Sequence, residues 1–246
     1  MTNYPTLTKA PITEALLDIR VKLSPDCDIE VIDSIYQEIQ DFYPKRQEQR
    51  LSQVHFEFKL GTESMGSKSK INGYRYLSDD DKKILQARLD GFTFNRLSPY
   101  TTWEDLRQEA YRLWLLYKKI TSPVITRVAL RYINNLRIPM PMKEFGEYLK
   151  APPTVPEALP QGVTSFLTRI NIYDPELNGN AIITQALEPT GSEQTSLPVI
   201  LDIDVFRIQS KGIGEEEAWD LLDKLRHFKN KIFFESITDK LLEVYK

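Results

Sequence analysis

RVALRYINN, residues 127–135, alternates apolar and polar side chains and sits near the middle of a 246-residue chain. Val128, Leu130 and Tyr132 face one way, and Arg127, Ala129, Arg131 and Ile133 the other, because successive side chains of a strand point to opposite faces. ITEALLDIRVK, residues 12–22, has the same build. Thr13, Ala15, Leu17, Ile19 and Val21 share one face, and Ile12, Glu14, Leu16, Asp18 and Arg20 the other. Each stretch reads as a half-buried strand opening one half of the chain.

Outward from ITEALLDIRVK, residues 28–43 place Ile29, Ile32, Ile35, Tyr36, Ile39 and Tyr43 at helical spacing. VHFEFKL (54–60) alternates again with Val54, Phe56, Phe58 and Leu60 inward, and GYRYLS (73–78) follows as a strand. KKILQARL and GFTFNRL meet at Asp90-Gly91, a turn pair that tolerates positive φ, and read as a hairpin. Thr101 or Thr102 caps a helix whose stripe is Trp103, Leu106, Ala110, Leu113, Trp114 and Tyr117. The first half is strand, helix, four strands, helix.

The second half repeats this loosely. A strand runs from Pro123 through Ile138, a short helix lies near 142–150, strands come at about 163–173, 180–188 and 198–208, and a helix starts near Gly214-Glu215. Landmarks recur at a near-constant offset: Pro11 to Pro123 and Phe94 to Phe206 by 112 residues, Trp103 to Trp219 by 116. The expected fold is α+β, an internal duplication with one twisted antiparallel sheet and helices on one face, like the TATA-binding-protein saddle. A helix-grip sheet is the alternative. The expected units are 1–120, 121–230 and a helical tail over 231–246, its helix starting at about Phe234. Six of the fifteen prolines fall in 139–160, which reads as exposed connection and less readily as a lid.

The bulk composition narrows the function classes. Apolar residues at 41% and charged residues at 27% are ordinary for a globular chain. The N-terminus lacks a signal-peptide pattern, no apolar run is long enough to span a membrane, and Cys27 is the single cysteine, so a reducing cytoplasm is expected. A net charge of −3 argues against a chain coated in nucleic-acid phosphate, though it leaves room for a local basic face.

Chemical motifs are few. GTESMGSKS (61–69) approaches a phosphate-binding loop, but Ser67 separates Gly66 from Lys68 and a strand follows where that motif needs a helix start. It is read as a Gly/Ser hairpin loop. His55 and His227 have no partner spacing and read as solvated. Asp202 and Asp204 share one face of a strand, as a divalent-ion site would need, and a salt-bridged face is the preferred reading. No catalytic residue, metal ligand or cofactor is assigned.

The opening arginines carry the main site expectation. In a duplicated saddle the first strands of the halves are neighbours, so Glu14 and Asp18 meet Arg127 and Arg131 across the ladder. The structural reading is an ion-pair network. The functional reading is a binding face made by Glu14, Asp18, Arg20, Arg127, Arg131 and Asn134, with Asn134 departing from strict alternation.

PITEALLDIR (11–20), RVALRYIN (127–134) and the block from YRYLSDD to TTWEDL (74–106) resemble a family of uncharacterised, sporadically distributed bacterial proteins. The resemblance brings no established activity. The patchy distribution implies mobile loci such as toxin–antitoxin or defence systems. Three functions are expected, the first ahead of the other two, which stand level. The first is a non-catalytic module, an antitoxin or defence accessory, that binds a protein partner. The second is a nucleic-acid binder using Arg20, Arg96, Arg127 and Arg131. The third is a metal-dependent hydrolase or nuclease built on Asp202, Asp204 and Glu14.

Overall fold

A computed structural model describes residues 4–59, 62–187 and 195–246, with 52–59 and 62–68 described by backbone alone. The expected inward set at Val54, Phe56 and Phe58 and the placement of His55 therefore lie outside the described side chains. Leu60 and Gly61 lie outside the described residues.

The chain is α+β. Strands β1 (Ile12–Lys22), β2 (Lys45–Lys59), β3 (Thr62–Leu77), β4 (Lys83–Arg88), β5 (Gly91–Leu97), β6 (Val124–Pro139), β7 (Phe166–Asp174), β8 (Gly179–Leu187) and β9 (Ser196–Ile213) form one open antiparallel sheet. Their order is β2-β3-β4-β5-β1-β6-β9-β8-β7, so β1 and β6 pair at its centre. Register is Leu17 opposite Leu130 and Ile19 opposite Val128. Ala15, Leu17, Ile19, Val128 and Leu130 are fully buried or nearly so, and this apolar row fixes the pairing, because a one-residue slip would turn it to the other face.

Helices cover that apolar face. α3 (Trp103–Thr121) begins at Thr102, whose hydroxyl accepts from the Asp105 amide at 3.1 Å, and ends at Ser122 in the left-handed region (φ 43°). α4 (Glu215–Ser236) follows β9 and opens on three glutamates, which suit the positive end of the helix dipole. The two helices clamp together through the Trp103 indole N–H to Asp223 (2.8 Å), the Trp114 indole N–H to Glu215 (3.1 Å) and an edge-on Tyr111–Trp219 pair at 4.8 Å.

Several expected boundaries move. The helix expected over 28–43 is two short ones, α1 (Ile29–Asp33) and α2 (Tyr36–Ile39). The Ser34 hydroxyl takes the Val31 carbonyl at 2.7 Å and Ile35 N–H bonds the Ile32 carbonyl, so the ladder tightens there while Ile32, Ile35, Ile39 and Tyr43 stay inward. The Gly/Ser stretch from Thr62 onward is strand and not loop, since its backbone is paired with β2, as at Gly66 opposite His55. α4 runs past the expected start of a tail helix to Ser236, and a short α5 (Asp239–Leu242) follows. Near 142–150 only a 3-10 turn forms, at Phe145–Glu147. Just beyond the turn, Leu149 bridges Ile237, and the Thr238 hydroxyl donates to the Glu147 carbonyl at 2.7 Å, so this part of the proline-rich segment is tied to the C-terminal end.

β3 carries a bulge. The ladder shifts register between Gln49 and Arg50, leaving Asn72 as the extra residue beside Gly73. A Cβ on Gly73 would sit 2.3 Å from the Ala87 carbonyl oxygen and 2.7 Å from the Arg88 Cα, so this close approach requires glycine. Among the described residues Lys229 is a buried cation. Lys229 of α4 places its ammonium 3.8 Å from the centre of the Tyr132 ring. That ring face favours the charge, but burial, helped by Arg226 nearby, outweighs it and pushes the ammonium down to about 7.

Gly73→Ala should cost about 1–3 kcal/mol in chemical denaturation, while Gly162→Ala, with open space around it, should stay within about 0.5 kcal/mol of the parent. Lys229 binds its proton more weakly folded than unfolded, so stability falls as pH drops from the ordinary lysine range through about 7. Lys229→Met should accordingly raise the melting temperature most near pH 6, with the gain shrinking as the pH rises toward 10.

Candidate binding cleft on the open sheet face

The face of β1 that points away from the helices carries Glu14, Leu16, Asp18 and Arg20. Register brings β4, β5, β6 and β9 into line with it. Asp18 lies opposite Thr93 of β5 and Ala129 of β6, and Arg131 lies opposite Asp204 of β9. Alternation on each strand then forces Gln86, Arg88, Thr93, Asn95, Arg127, Arg131, Asp202 and Asp204 onto this same face. Gln49, Leu51 and the bulge residue Asn72 join Asp18, Arg20, Arg127 and Asp204 around a cleft of about 510 Å³.

Asp18 is the hub. Its side chain is 9% exposed, and it accepts from four donors: Arg88 Nη2 at 3.1 Å, the Thr93 hydroxyl at 2.7 Å, Arg127 Nη1 at 2.9 Å and Arg20 Nε at 3.3 Å. Arg88, 5% exposed, also bonds Asp90 through Nε at 3.1 Å and the Thr93 hydroxyl through Nη1 at 2.8 Å. Asp90 closes the ring by accepting from Arg20 and from the Asn72 amide. Burial pushes the Asp90 carboxyl up, but the Arg20 and Arg88 guanidinium groups prevail and leave it below its ordinary value.

A second shelf lies beside the hub. Arg127 spans from Asp18 to Asp204, reaching the latter through Nη2 at 3.3 Å, and its guanidinium stacks 4.5 Å from the Phe206 ring centre. Arg131 makes a two-point pair with Asp202, Nε at 2.8 Å and Nη2 at 2.6 Å. That pair raises the guanidinium above its ordinary value. Burial raises the Asp204 carboxyl, with Arg127 and Arg131 opposing and Asp202 and Asp18 reinforcing the rise.

The expected residues are distributed as follows. Asp18, Arg20, Arg127 and Arg131 share the cleft, and the expected Asp18–Arg127 contact forms. Arg131 pairs with Asp202 and not with Glu14 or Asp18, because the Asp202 carboxylate on β9 is the acid within reach of its fork. Glu14 instead accepts from the Asn95 amide. Asn134 is on the helix-covered face, 2% exposed, where its amide donates to the Leu201 carbonyl at 3.0 Å. Arg96 also lies apart, with Lys83, Asp105 and Glu109 beside α3. Among the described residues, no group of three or more His, Cys, Asp or Glu side chains is placed to hold a metal ion, so Glu14, Asp202 and Asp204 do not converge as a metal site would require.

Arg88, Asp90 and Thr93 were not singled out by sequence reasoning. Their signal was the shared parity of Gln86 and Arg88 with Thr93 and Asn95 across the Asp90-Gly91 turn, which becomes readable only once β5 is known to neighbour β1. Among the described residues no helix is long and apolar enough to cross a membrane.

Asp18→Asn should cost about 3–5 kcal/mol in denaturant unfolding, because it leaves the Arg88 guanidinium buried beside a neutral amide. Arg131→Ala should cost no more than about 1 kcal/mol, since its side chain is 43% exposed.

Compared with known protein families and with curated proteins, the chain matches no family model and no curated protein.

Proposed function

We propose that the chain is a binding module whose open sheet face receives a polar segment of a protein partner. The observation that carries this reading is the division of labour among the arginines. Arg88 and Arg127 are committed to the buried hub, whereas Arg20 and Arg131 are each more than two-fifths exposed. Among the described residues, Arg20 Nη2 and Arg131 Nη1 have no hydrogen-bond acceptor, so both present a donor to the cleft. Donors and acceptors alternate there, with Asp90 and Asp204 beside the two arginines. A peptide with its own alternating carbonyls, amides and side-chain charges suits such a lining. A phosphodiester backbone would meet Asp18, Asp90, Asp202 and Asp204 along with the arginines, and the interleaved carboxylates oppose it.

The same reading takes the two halves as copies of one strand-helix-strands-helix unit, a saddle resembling the TATA-binding-protein fold. What supports it is the strand order: β1 and β6 lie side by side, with β5-β4-β3-β2 continuing on one side and β9-β8-β7 on the other. The narrower role, an antitoxin or accessory component of a mobile defence locus, rests on the resemblance of PITEALLDIR and RVALRYIN to that bacterial family.

Affinity capture from the native host with the parent chain and Arg131→Ala tests the reading, with melting temperatures measured in parallel. Loss of a charge-assisted hydrogen bond is worth about 1.5–3 kcal/mol, so a specific protein partner should bind at least roughly tenfold more weakly to the folded variant. Equal capture by both chains would remove the cleft as the site. Co-purified nucleic acid whose affinity collapses with salt would replace the protein-partner reading with phosphate binding.

A further inference from the structure

The two edges of the sheet are chemically unlike. β2 begins KRQEQR, and the charges of Lys45, Arg46, Glu48 and Arg50 along it are the kind that discourage another strand from adding to an edge. β7, the opposite edge, reads FLTRINIYD and carries Arg169 as its one charge before the terminal Asp174. Leu167, Ile170 and Tyr173 are 73%, 53% and 59% exposed. Among the described residues, no backbone hydrogen bond reaches β7 from the side away from β8. On the helix-covered face, Ile170 and Ile172 continue past α4 as the floor of a groove of about 610 Å³, which Phe228 and Ile232 line from the helix side.

We propose that β7 is a homodimer interface, in which two copies pair β7 to β7 antiparallel about a two-fold axis normal to the sheet and passing through Asn171. Such an axis sets residues equidistant from Asn171 opposite each other and keeps their side chains on the same face. Ile170 then meets Ile172 of the second copy, twice over, and the two groove floors join into one apolar trough. On the other face Arg169 meets Tyr173 of the second copy, a cation–π pair that also forms twice. Thr168 falls opposite Asp174, a hydroxyl against a carboxylate, and the two Asn171 amides meet on the axis. The neighbouring registers lose this match. Centring on Ile172 sets Ile170 against Asp174, and centring on Ile170 sets Thr168 against Ile172. The edge is thus complementary to itself in one register, which favours a second copy of this chain over an unrelated strand.

Sedimentation equilibrium and oxidative cross-linking of the full chain test this. The parent should dimerise in the micromolar range, and Ile170→Lys with Ile172→Lys should weaken the dimer at least tenfold while circular dichroism stays unchanged. In a Cys27→Ser background, Asn171→Cys should form an intermolecular disulfide, since paired positions on neighbouring strands are about 4.5–5.5 Å apart. Tyr173→Cys should not, because its two copies would be about 13 Å apart along the strands. A parent that stays monomeric, a dimer indifferent to the lysines, or cross-linking through Tyr173→Cys in place of Asn171→Cys would overturn the proposal.

Discussion

The pairing of β1 with β6 is the constraint on which the rest of the structure depends. These strands occupy the middle of the sheet and join the two halves of the chain through one ladder. Their common register does two things at once. It lines up Leu17 with Leu130 and Ile19 with Val128 under the helices, and on the reverse side it sets Asp18 within reach of Arg127. Both faces of the molecule are thus decided by one alignment, because the side-chain period of a strand is two.

The reverse face shows how a charged sheet surface is kept without unpaired buried charge. A buried ion pair gains stability only when its geometry is good and its remaining hydrogen-bonding groups are satisfied. Asp18 meets that condition by accepting from three arginines and a threonine, and Arg88 by reaching Asp18, Asp90 and Thr93 together. Arg20 and Arg131 sit at the margin of this network, where about two-fifths of each side chain meets solvent. The gradient from buried hub to exposed margin separates the arginines held in the network from those with a solvent-facing part.

The sheet closes off its two ends differently. On the first side α1 lies beneath β3 and β4, Tyr36 of α2 stacks on Tyr76 of β3, and Ile32, Ile35 and Ile39 are buried. On the second side the connection between β6 and β7, 140–165, holds prolines and a single 3-10 turn in place of such helices. Proline supplies no backbone donor and resists helix, so the inner face of β7 stays uncovered beyond α4. The apolar groove follows from that difference between the halves.

Much of the fold was readable in the sequence. Period-two alternation in 12–22 and 127–135 marked the central strands, the Asp90-Gly91 pair marked the β4–β5 turn, and the Thr102 cap with the Trp103–Tyr117 stripe marked α3. These signals are local, carried by residues within a few positions of each other. The break at Ser34, the continuation of β3 through its Gly/Ser stretch and the length of α4 were not so readable, because each depends on where a distant partner supplies hydrogen bonds or apolar cover. The candidate site divides in the same way. Alternation by itself determined that Asp18, Arg20, Arg127 and Arg131 share the face away from the core. Alternation also groups Asn134 with Tyr132 and Arg96 with Phe94, on the core side. Only the tertiary structure decided that Arg88 completes the Asp18 hub and that Asp202 takes Arg131. Strand neighbours and register are set by contacts between residues tens of positions apart, and no local pattern encodes them.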